Sequence, residues 1–204
     1  MENIADMSIP VDQRDAAPAP AVTPAAARSL PGDLTPAQLI DRIIRVDHAG
    51  EYGAKRIYEG QLAVLGNKAE GHVIRHMMEQ ELVHLQAFEK LMVERRARPS
   101  LLFPIWHVAG FALGAATALM GPKAAMACTV AVEEVIDEHY RQQTATLGSS
   151  EPALTDKIET FRAEEVQHRD TGLAHGAEQA PGYPVLSSAI KAGSRLAIWL
   201  AERI

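Results

Sequence analysis

Cysteine, aromatic residues and basic clusters are all scarce in this chain of 204 residues. Cys128 is the only cysteine, which excludes an intramolecular disulfide, a zinc ribbon and a pair of redox-active thiols. Its expected role is that of a small apolar core residue. Aromatic residues make up 5% of the sequence, the formal net charge is −6, and no basic patch is interleaved with aromatics. We therefore expect no nucleic-acid partner.

The sequence also lacks long stretches in which apolar and polar residues alternate, so it predicts no β-strand. Apolar residues recur instead at helical spacing, and the predicted fold class is all-α. The hydrophobic content of 47% is sufficient for one domain with a sizeable core.

The first residues have neither the apolar core of an export signal nor the acid-poor composition of a transit peptide. They are rich in alanine and proline, which favours an unfolded chain over a packed core. We predict a disordered N-terminal arm over residues 1–33 and a folded domain over residues 34–204.

Helical periodicity predicts four long helices in the folded part, at about residues 36–65, 68–96, 123–147 and 151–178. Thr35 is the expected N-cap of the first helix, with Pro36 at its first position. Residues 186–204 are predicted to form an amphipathic helix that packs on the bundle or lies on a bilayer.

Residues 101–121 contain no aspartate, glutamate, lysine or arginine, and this length is sufficient for a membrane span. Pro104 lies near the beginning of the stretch, and Gly121-Pro122 interrupts it at the end. The composition favours glycine and alanine over leucine and isoleucine. We therefore expect a buried or membrane-surface hairpin rather than a span.

Two short motifs carry the chemistry. Glu81 precedes His84 by three residues, and Glu165 precedes His168 by the same interval. Three residues of helix turn the chain by about 300° and advance it by about 4.5 Å, so each pair shares one helix face. One helix can thus offer an oxygen and a nitrogen to one metal ion, although a single pair of this kind is weak evidence for a site.

The spacing of other glutamates strengthens this interpretation. Glu51 lies 30 residues before Glu81, and Glu133 lies 32 residues before Glu165. The sequence therefore repeats one unit, a helix with one candidate glutamate followed by a helix with Glu-x-x-His. Carboxylate-bridged dinuclear sites are built from two such units. Glu134 competes with Glu133, and the spacing does not decide between them. The candidate metal ligands are Glu51, Glu81, His84, Glu133, Glu165 and His168.

Four carboxylates neutralise two divalent cations, and the oxygen-rich set with two imidazoles suits iron or manganese better than zinc or copper. Gln80 and Glu164 are candidates to orient the imidazole of the opposite helix pair, since metal-bound imidazoles usually have such a partner. Other candidates for this role are Asp47, Asp137 and His139. The histidines predicted not to be ligands are His48, His72, His76, His107 and His175.

Five stretches together resemble the demethoxyubiquinone hydroxylase family of ubiquinone biosynthesis: residues 46–54, 79–84, 110–114, 127–134 and 164–170. The similarity extends from about Leu34 to Ile204. It implies a ferritin-like four-helix bundle with an apolar connecting segment and an extra C-terminal amphipathic helix. It also implies a di-iron monooxygenase that uses O2 to hydroxylate the ring of a polyprenylated 3-methyl-6-methoxy-benzoquinol (demethoxyubiquinol).

The resemblance assigns two iron ions to the six candidate ligands and prefers Glu133 over Glu134. Glu165 and either Glu81 or Glu133 are the expected bridging carboxylates. His139 and Tyr140 match a family position that is placed near substrate or electron transfer, and are the candidate catalytic residues.

The family is associated with membrane surfaces and with a lipid-binding accessory protein. We expect a peripheral membrane protein, on the cytoplasmic face of a bacterial inner membrane or the matrix side of a mitochondrial one, with a homo-oligomer as a further expectation. The alternative functions are ferritin-like iron binding or ferroxidation, and a membrane-surface helical protein without metal. The apolar stretch at 101–121 argues against iron storage, because a soluble storage cage has no use for such a surface.

Overall fold

Six α-helices account for most of the computed structural model, which describes residue 30 and residues 32–204. No strand occurs in the described residues, in agreement with the predicted all-α class. Most of the predicted arm at 1–33 lies outside them. The helices are α1 (Pro36–Leu65), α2 (Gly71–Arg95), α3 (Phe103–Leu119), α4 (Pro122–Leu147), α5 (Pro152–Ala174) and α6 (Tyr183–Ala201).

The predicted N-cap of α1 is confirmed. The Thr35 hydroxyl accepts a hydrogen bond from the Gln38 amide at 3.3 Å, and the Gln38 side chain accepts one from the Thr35 amide at 3.0 Å. This reciprocal arrangement satisfies two backbone donors that a helix start leaves free. Pro36 follows in the first turn, where a missing N–H costs nothing.

Helix boundaries differ from the sequence-based expectation by a few residues. α2 begins at Gly71, since the chain between residues 66 and 70 forms turns. α5 ends at Ala174 and is followed by a short 3-10 turn, Ala177–Gln179. α6 begins at Tyr183, earlier than expected, because Pro184 fits the first turn of a helix.

The bundle consists of two helix pairs, α1 with α2 and α4 with α5, and this is the ferritin-like arrangement. α3 connects the pairs and packs along α1, while α6 packs on α4. One apolar cluster contains Tyr58 and Met126, and another contains Ile43 and Tyr140. Glu51 on α1 and Glu133 on α4 fall between the two clusters. Cys128 is fully buried, as expected.

α3 lies very close to α1 because glycines line the contact. A Cβ atom at Gly114 would stand 1.9 Å from the carbonyl oxygen of Ile57, and one at Gly60 would stand 2.2 Å from that of Phe111. Only Gly114, Thr117 and Ala118 of α3 are buried. Residues 101–121 therefore contain a single helix, most of which is not buried, and not the buried or membrane-surface hairpin that the sequence predicted, and the chain turns into α4 at Gly121. Within the described part of the chain, no helix combines the length and apolarity that crossing a membrane requires.

Candidate metal centre

The six predicted ligands converge in the middle of the bundle. α1 supplies Glu51, α2 supplies Glu81 and His84, α4 supplies Glu133, and α5 supplies Glu165 and His168; each residue is at most 3% exposed. They form two overlapping groups, within each of which one ligand atom per residue lies within 4.8 Å of every other. One group contains Glu51, Glu81, His84 and Glu165, and the other contains Glu81, Glu133, Glu165 and His168.

Glu81 and Glu165 belong to both groups, whereas Glu133 belongs to one. Of the two sequence-based alternatives for the second shared carboxylate, the geometry therefore favours Glu81. The oxygens of Glu165 reach both imidazoles: Oε1 lies 3.0 Å from Nδ1 of His84, and Oε2 lies 3.0 Å from Nδ1 of His168. The two imidazole centroids are 6.5 Å apart.

The neighbouring glutamates Glu133 and Glu134 have different surroundings. Glu133 is 2% exposed and faces the centre, while the side chain of Glu134 is 35% exposed and forms an ion pair with Lys191. The helix admits only one of two adjacent residues to a given face. Glu133 is thus the member of the pair that lies with the other candidate ligands.

Each of the two histidines directs Nδ1 toward the carboxylates of the candidate ligands and Nε2 out of the centre. Nε2 of His84 is hydrogen-bonded to the carboxylate of Glu164, and Nε2 of His168 lies 3.0 Å from the amide oxygen of Gln80. Both contacts cross to the opposite helix pair, as the sequence predicted. Such contacts fix the ring orientation and the tautomer of a ligand.

The other residues proposed to orient an imidazole have different partners. Asp137 accepts a hydrogen bond from Arg162 at 2.6 Å, so the prediction for Asp137 was wrong. Asp47 is buried and accepts a hydrogen bond from Gln143 at 2.7 Å, and Nε2 of His139 lies 3.7 Å from its Oδ1. These contacts connect Asp47 with His139 rather than with a histidine of the centre.

Two tyrosines complete the surroundings of the carboxylates. The Tyr58 hydroxyl donates to Oε1 of Glu133 at 3.1 Å, and the Tyr140 hydroxyl donates to Oε1 of Glu51. Tyr58 was not singled out from the sequence. A signal was present, because each tyrosine lies seven residues after the glutamate that its own helix contributes to the centre, Tyr58 after Glu51 and Tyr140 after Glu133. Seven residues are about two helical turns, which returns the side chain to the same face.

Burial and mutual contacts strongly perturb the pKa values of the candidate ligands. Burial, followed by the charges of Glu165 and Glu51, raises the pKa of Glu81 well above its usual value. Burial, followed by the charge of Glu165, does the same for Glu133. Burial disfavours the charged form of His84, but hydrogen bonds to Glu165 and Glu51 outweigh it and raise the pKa to about 12. Burial also opposes ionisation of Glu165, yet its hydrogen bonds to both histidines lower the pKa to about 2.

The chemistry of the donor set fits divalent cations. Glu81 is 0% exposed, and among the described residues neither of its oxygens has a hydrogen-bond partner. Nδ1 of His168 lies 3.1 Å from one of them, in a direction that does not make a hydrogen bond. A buried carboxylate without partners is costly unless it is protonated or binds a cation. These groups could therefore hold metal ions.

The histidines predicted not to be ligands belong to neither group. His48 is buried and stacks on Phe103, with ring centroids 5.6 Å apart. His139 lies outside the centre as well. It borders two adjoining clefts of about 120 and 260 Å³ at the surface, beside the C-terminal end of α6.

An apolar cavity of about 320 Å³ lies between α1, α3 and α6. Its walls are almost entirely aliphatic or aromatic, and the residues that form them include Ala49, Gly53, Ile57, Trp106, Leu113 and Ala197. Gly53 borders it without close packing, since a Cβ atom there would meet nothing within 4 Å. The cavity shares α1 with the candidate ligand Glu51.

Comparison with known proteins gives one consistent result. The family model described as "Ubiquinone biosynthesis protein COQ7" matches residues 38–201. The chain is 64% identical over 176 residues to 3-demethoxyubiquinol 3-hydroxylase of Rhodospirillum rubrum, covering 86% of this chain and 83% of that protein. It is 57% identical over 169 residues to a human protein named NADPH-dependent 3-demethoxyubiquinone 3-hydroxylase, mitochondrial, covering 81% of this chain and 78% of the human one.

Proposed function

The chain belongs to the COQ7 family of ubiquinone biosynthesis proteins, and we propose that it is a 3-demethoxyubiquinol hydroxylase whose catalytic domain spans residues 34–204. The observation that carries this proposal is the pair of buried groups that share Glu81 and Glu165. The reaction would insert one atom of O2 as a hydroxyl group into the ring of a polyprenylated methoxy-benzoquinol, while two electrons from a reductant and two protons convert the other oxygen atom to water.

The proposed cofactor is a pair of iron ions. Glu51 and His84 would serve one ion, Glu133 and His168 the other, and Glu81 and Glu165 would bridge them. Four carboxylates balance the charge of two divalent cations, and ligands with this ratio of oxygen to nitrogen suit iron. When bound, iron would supply the redox chemistry that activates O2 for hydroxylation.

The protein's own part is to position these ligands and to exclude water. Glu164 and Gln80 hold the two imidazoles with Nδ1 directed inward, and Tyr58 and Tyr140 hold the carboxylates of Glu133 and Glu51. Every ligand is buried, so the centre is shielded from solvent that would compete with substrate and quench reactive species.

We place the polyprenyl tail of the substrate in the apolar cavity between α1, α3 and α6. Its volume of about 320 Å³ and its aliphatic walls suit an isoprenoid chain. His139 and Tyr140 are proposed to lie near the substrate or the route of electrons. Tyr140 contacts Glu51 directly, and the adjacent His139 reaches the surface clefts, so the two residues connect the centre with the exterior.

We further propose that the protein binds a membrane surface through α3 and α6. On α3, Ile105, Val108 and Leu119 are 55–75% exposed, and on α6 Leu196 and Trp199 are at least half exposed. A prenyl tail partitions into lipid, so lateral entry from a bilayer avoids a passage through water. The human and bovine relatives are named as mitochondrial. The proposed location is the cytoplasmic face of a bacterial inner membrane, or the matrix side of a mitochondrial one.

A lipid-binding accessory protein or a second copy of this chain would compete with lipid for the same exposed residues. Flotation with phospholipid vesicles separates these cases. Co-flotation of the purified chain supports direct binding, and its loss on changing Trp199 and Leu196 to serine would identify α6 as the contact. Recovery only of the free protein would contradict a membrane surface as the partner.

The alternative of a ferritin-like iron-binding or ferroxidase protein is not favoured. The named relatives are hydroxylases of a ubiquinone precursor, and the apolar cavity has no use in iron storage. The deciding experiment is aerobic turnover of demethoxyubiquinol by the iron-loaded protein with a reductant. We expect a product heavier by one oxygen atom, identified by mass. Oxidation of iron without such a product, by protein that holds two iron ions, would contradict the hydroxylase.

A further inference from the structure

The candidate metal centre consists of two halves whose surroundings repeat across the bundle. Tyr58 on α1 donates to Glu133, and Tyr140 on α4 donates to Glu51. The residue before each paired glutamate likewise reaches the histidine of the opposite pair. In these outer contacts the two halves differ in one charge, because α2 presents an amide where α5 presents a carboxylate.

That difference falls on the outer nitrogens of the two histidines. Nε2 of His84 is hydrogen-bonded to the Glu164 carboxylate, while Nε2 of His168 lies 3.0 Å from the neutral amide oxygen of Gln80. The Glu164 side chain is 35% exposed. Within residues 32–204, no lysine or arginine lies within 4.0 Å of it to offset its charge.

The consequence for a metal follows from the ligand chemistry. A carboxylate that accepts the outer N–H of an imidazole makes the ring more basic, and so a better donor at its other nitrogen. Hydrogen bonds to a charged acceptor are also about twice as strong as those between neutral groups, which holds the ring more firmly. Both effects act on His84 and are weaker at His168.

The aromatic neighbours of the two histidines also differ, and this difference too holds His84 more firmly than His168. The ring of Phe161 lies against His84, with centroids 4.1 Å apart and an interplanar angle of 27°. His168 instead meets Tyr58 edge-on at 6.2 Å. A stacked neighbour restricts the rotation of His84 and keeps water from its face.

We propose that the two metal positions are inequivalent, and that the position served by His84 binds a divalent ion about ten-fold more tightly than the position served by His168. Glu164 is then a positioning residue that sets the order in which the centre fills. This inference depends on the dinuclear centre of the proposed function, but not on the identity of the substrate.

The test is an anaerobic titration of the full, metal-free chain with Co²⁺, followed by calorimetry and by the visible absorption of the ion. The wild type should fill in two resolved steps. Glu164→Gln makes the two outer contacts alike, and we expect the first step to weaken about ten-fold, so that the steps merge. Gln80→Glu supplies the missing carboxylate and should tighten the second step by a similar factor.

Glu134→Gln is the matched control. Glu134 also adjoins a candidate ligand and its side chain has the same 35% exposure, but it pairs with Lys191 outside the centre. It should leave both steps unchanged. Far-ultraviolet circular dichroism checks that each variant is folded. If Glu164→Gln does not fold, the change in the second step in Gln80→Glu tests the inequivalence of the two positions.

The outcomes separate this inference from the proposed function. Two equal sites in the wild type, or two unchanged steps in Glu164→Gln, would overturn the inequivalence and leave the hydroxylase proposal intact. Failure of the wild type to bind two ions per chain would overturn the dinuclear centre and the inference with it. If the wild type binds Co²⁺ in two resolved steps but the iron-loaded protein does not hydroxylate the quinol, the inference is supported and only the proposed activity is contradicted.

Discussion

The Tyr58 hydroxyl donates a hydrogen bond of 3.1 Å to Oε1 of Glu133, from a helix that carries another candidate ligand, Glu51. Its counterpart is the bond from Tyr140 to Glu51. Each tyrosine thus holds a carboxylate that a neighbouring helix contributes. The two bonds connect α1 with α4, which otherwise share few contacts, and they do so at the level of the candidate metal ligands.

Tyr58→Phe should weaken metal binding without unfolding the bundle. The change leaves a buried carboxylate short of a donor, and loss of such an outer contact lowers metal affinity by about 10–100-fold. Dissociation constants for Mn²⁺ measure the effect. Tyr52→Phe is the control on the same helix, since its hydroxyl bonds to His107 at 2.5 Å, away from the centre. Equal affinities in the two variants would contradict a role for Tyr58 in holding Glu133.

Much of the fold could be predicted from the sequence because its signals are local. Helical periodicity placed the four bundle helices, and the Thr35 cap with Pro36 marked where α1 begins. The six candidate ligands could be found because the interval of three residues and the repeated helix pair both constrain them. Their convergence to within 4.8 Å of one another in each group is the geometry that this pattern requires.

Other features depend on contacts between distant segments. The spacing alone left Glu133 and Glu134 equivalent, and only the direction of the α4 side chains separates them. Asp137 on α4 accepts a hydrogen bond from Arg162 on α5, and the sequence spacing does not reveal this contact. The closeness of α3 to α1 depends on how Gly114 meets the backbone at Ile57, which no periodicity reveals.

His168→Gln should reduce the metal content from two ions to about one per chain. His168 belongs to only one of the two groups, so the group around His84 keeps all its ligands. Metal analysis after anaerobic loading and desalting measures the content, and hydroxylation should be lost because one ion alone cannot replace the pair. His175→Gln is the control, because His175 bonds to the Thr171 carbonyl on the exposed end of α5. Two retained ions in His168→Gln would exclude that histidine as a ligand.

The metal-free protein should lose stability as the pH rises from about 5 to 8. The pKa values of Glu81, Glu133 and His84 are raised in the folded state, so above about pH 4.5 the folded chain binds more protons than the unfolded one. The stability they contribute is complete below their unfolded pKa values and is lost as the pH rises through the folded ones. Glu165, with a pKa of about 2, contributes above its unfolded value and loses its effect only in acid.

Bound metal should reverse this trend. Divalent ions require deprotonated ligands, so their stabilisation increases over the same pH range. Melting temperatures from pH 5 to 8, with chelator and with Mn²⁺, measure both trends. A metal-free melting temperature that rises toward pH 8 would be incompatible with carboxylates that face one another in the core.

Gly114→Ala should destabilise the protein by separating α3 from α1. The added methyl group would lie 1.9 Å from the Ile57 carbonyl oxygen, and overpacking of this kind costs about 1–3 kcal/mol. The melting temperature should fall by several degrees. Gly53→Ala is the control, since nothing lies within 4 Å of its new Cβ and alanine favours a helix interior by about 1 kcal/mol. Equal stability of the two variants would argue against tight contact between α1 and α3.

Ala197→Leu should raise the KM for long-tailed quinol while the metal content stays at the wild-type level. Ala197 lines the cavity of about 320 Å³ on the α6 side, far along the chain from every candidate ligand, so a larger side chain takes up space that the tail would use. We expect kcat/KM to fall about ten-fold for the polyprenyl substrate, which corresponds to about 1.4 kcal/mol of lost binding. A substrate with a truncated tail should be nearly insensitive, because it does not need the cavity.

Ala189→Leu makes the same change at an exposed position of α6 and should leave both substrates unaffected. An equal loss for both substrates in Ala197→Leu would place the tail elsewhere.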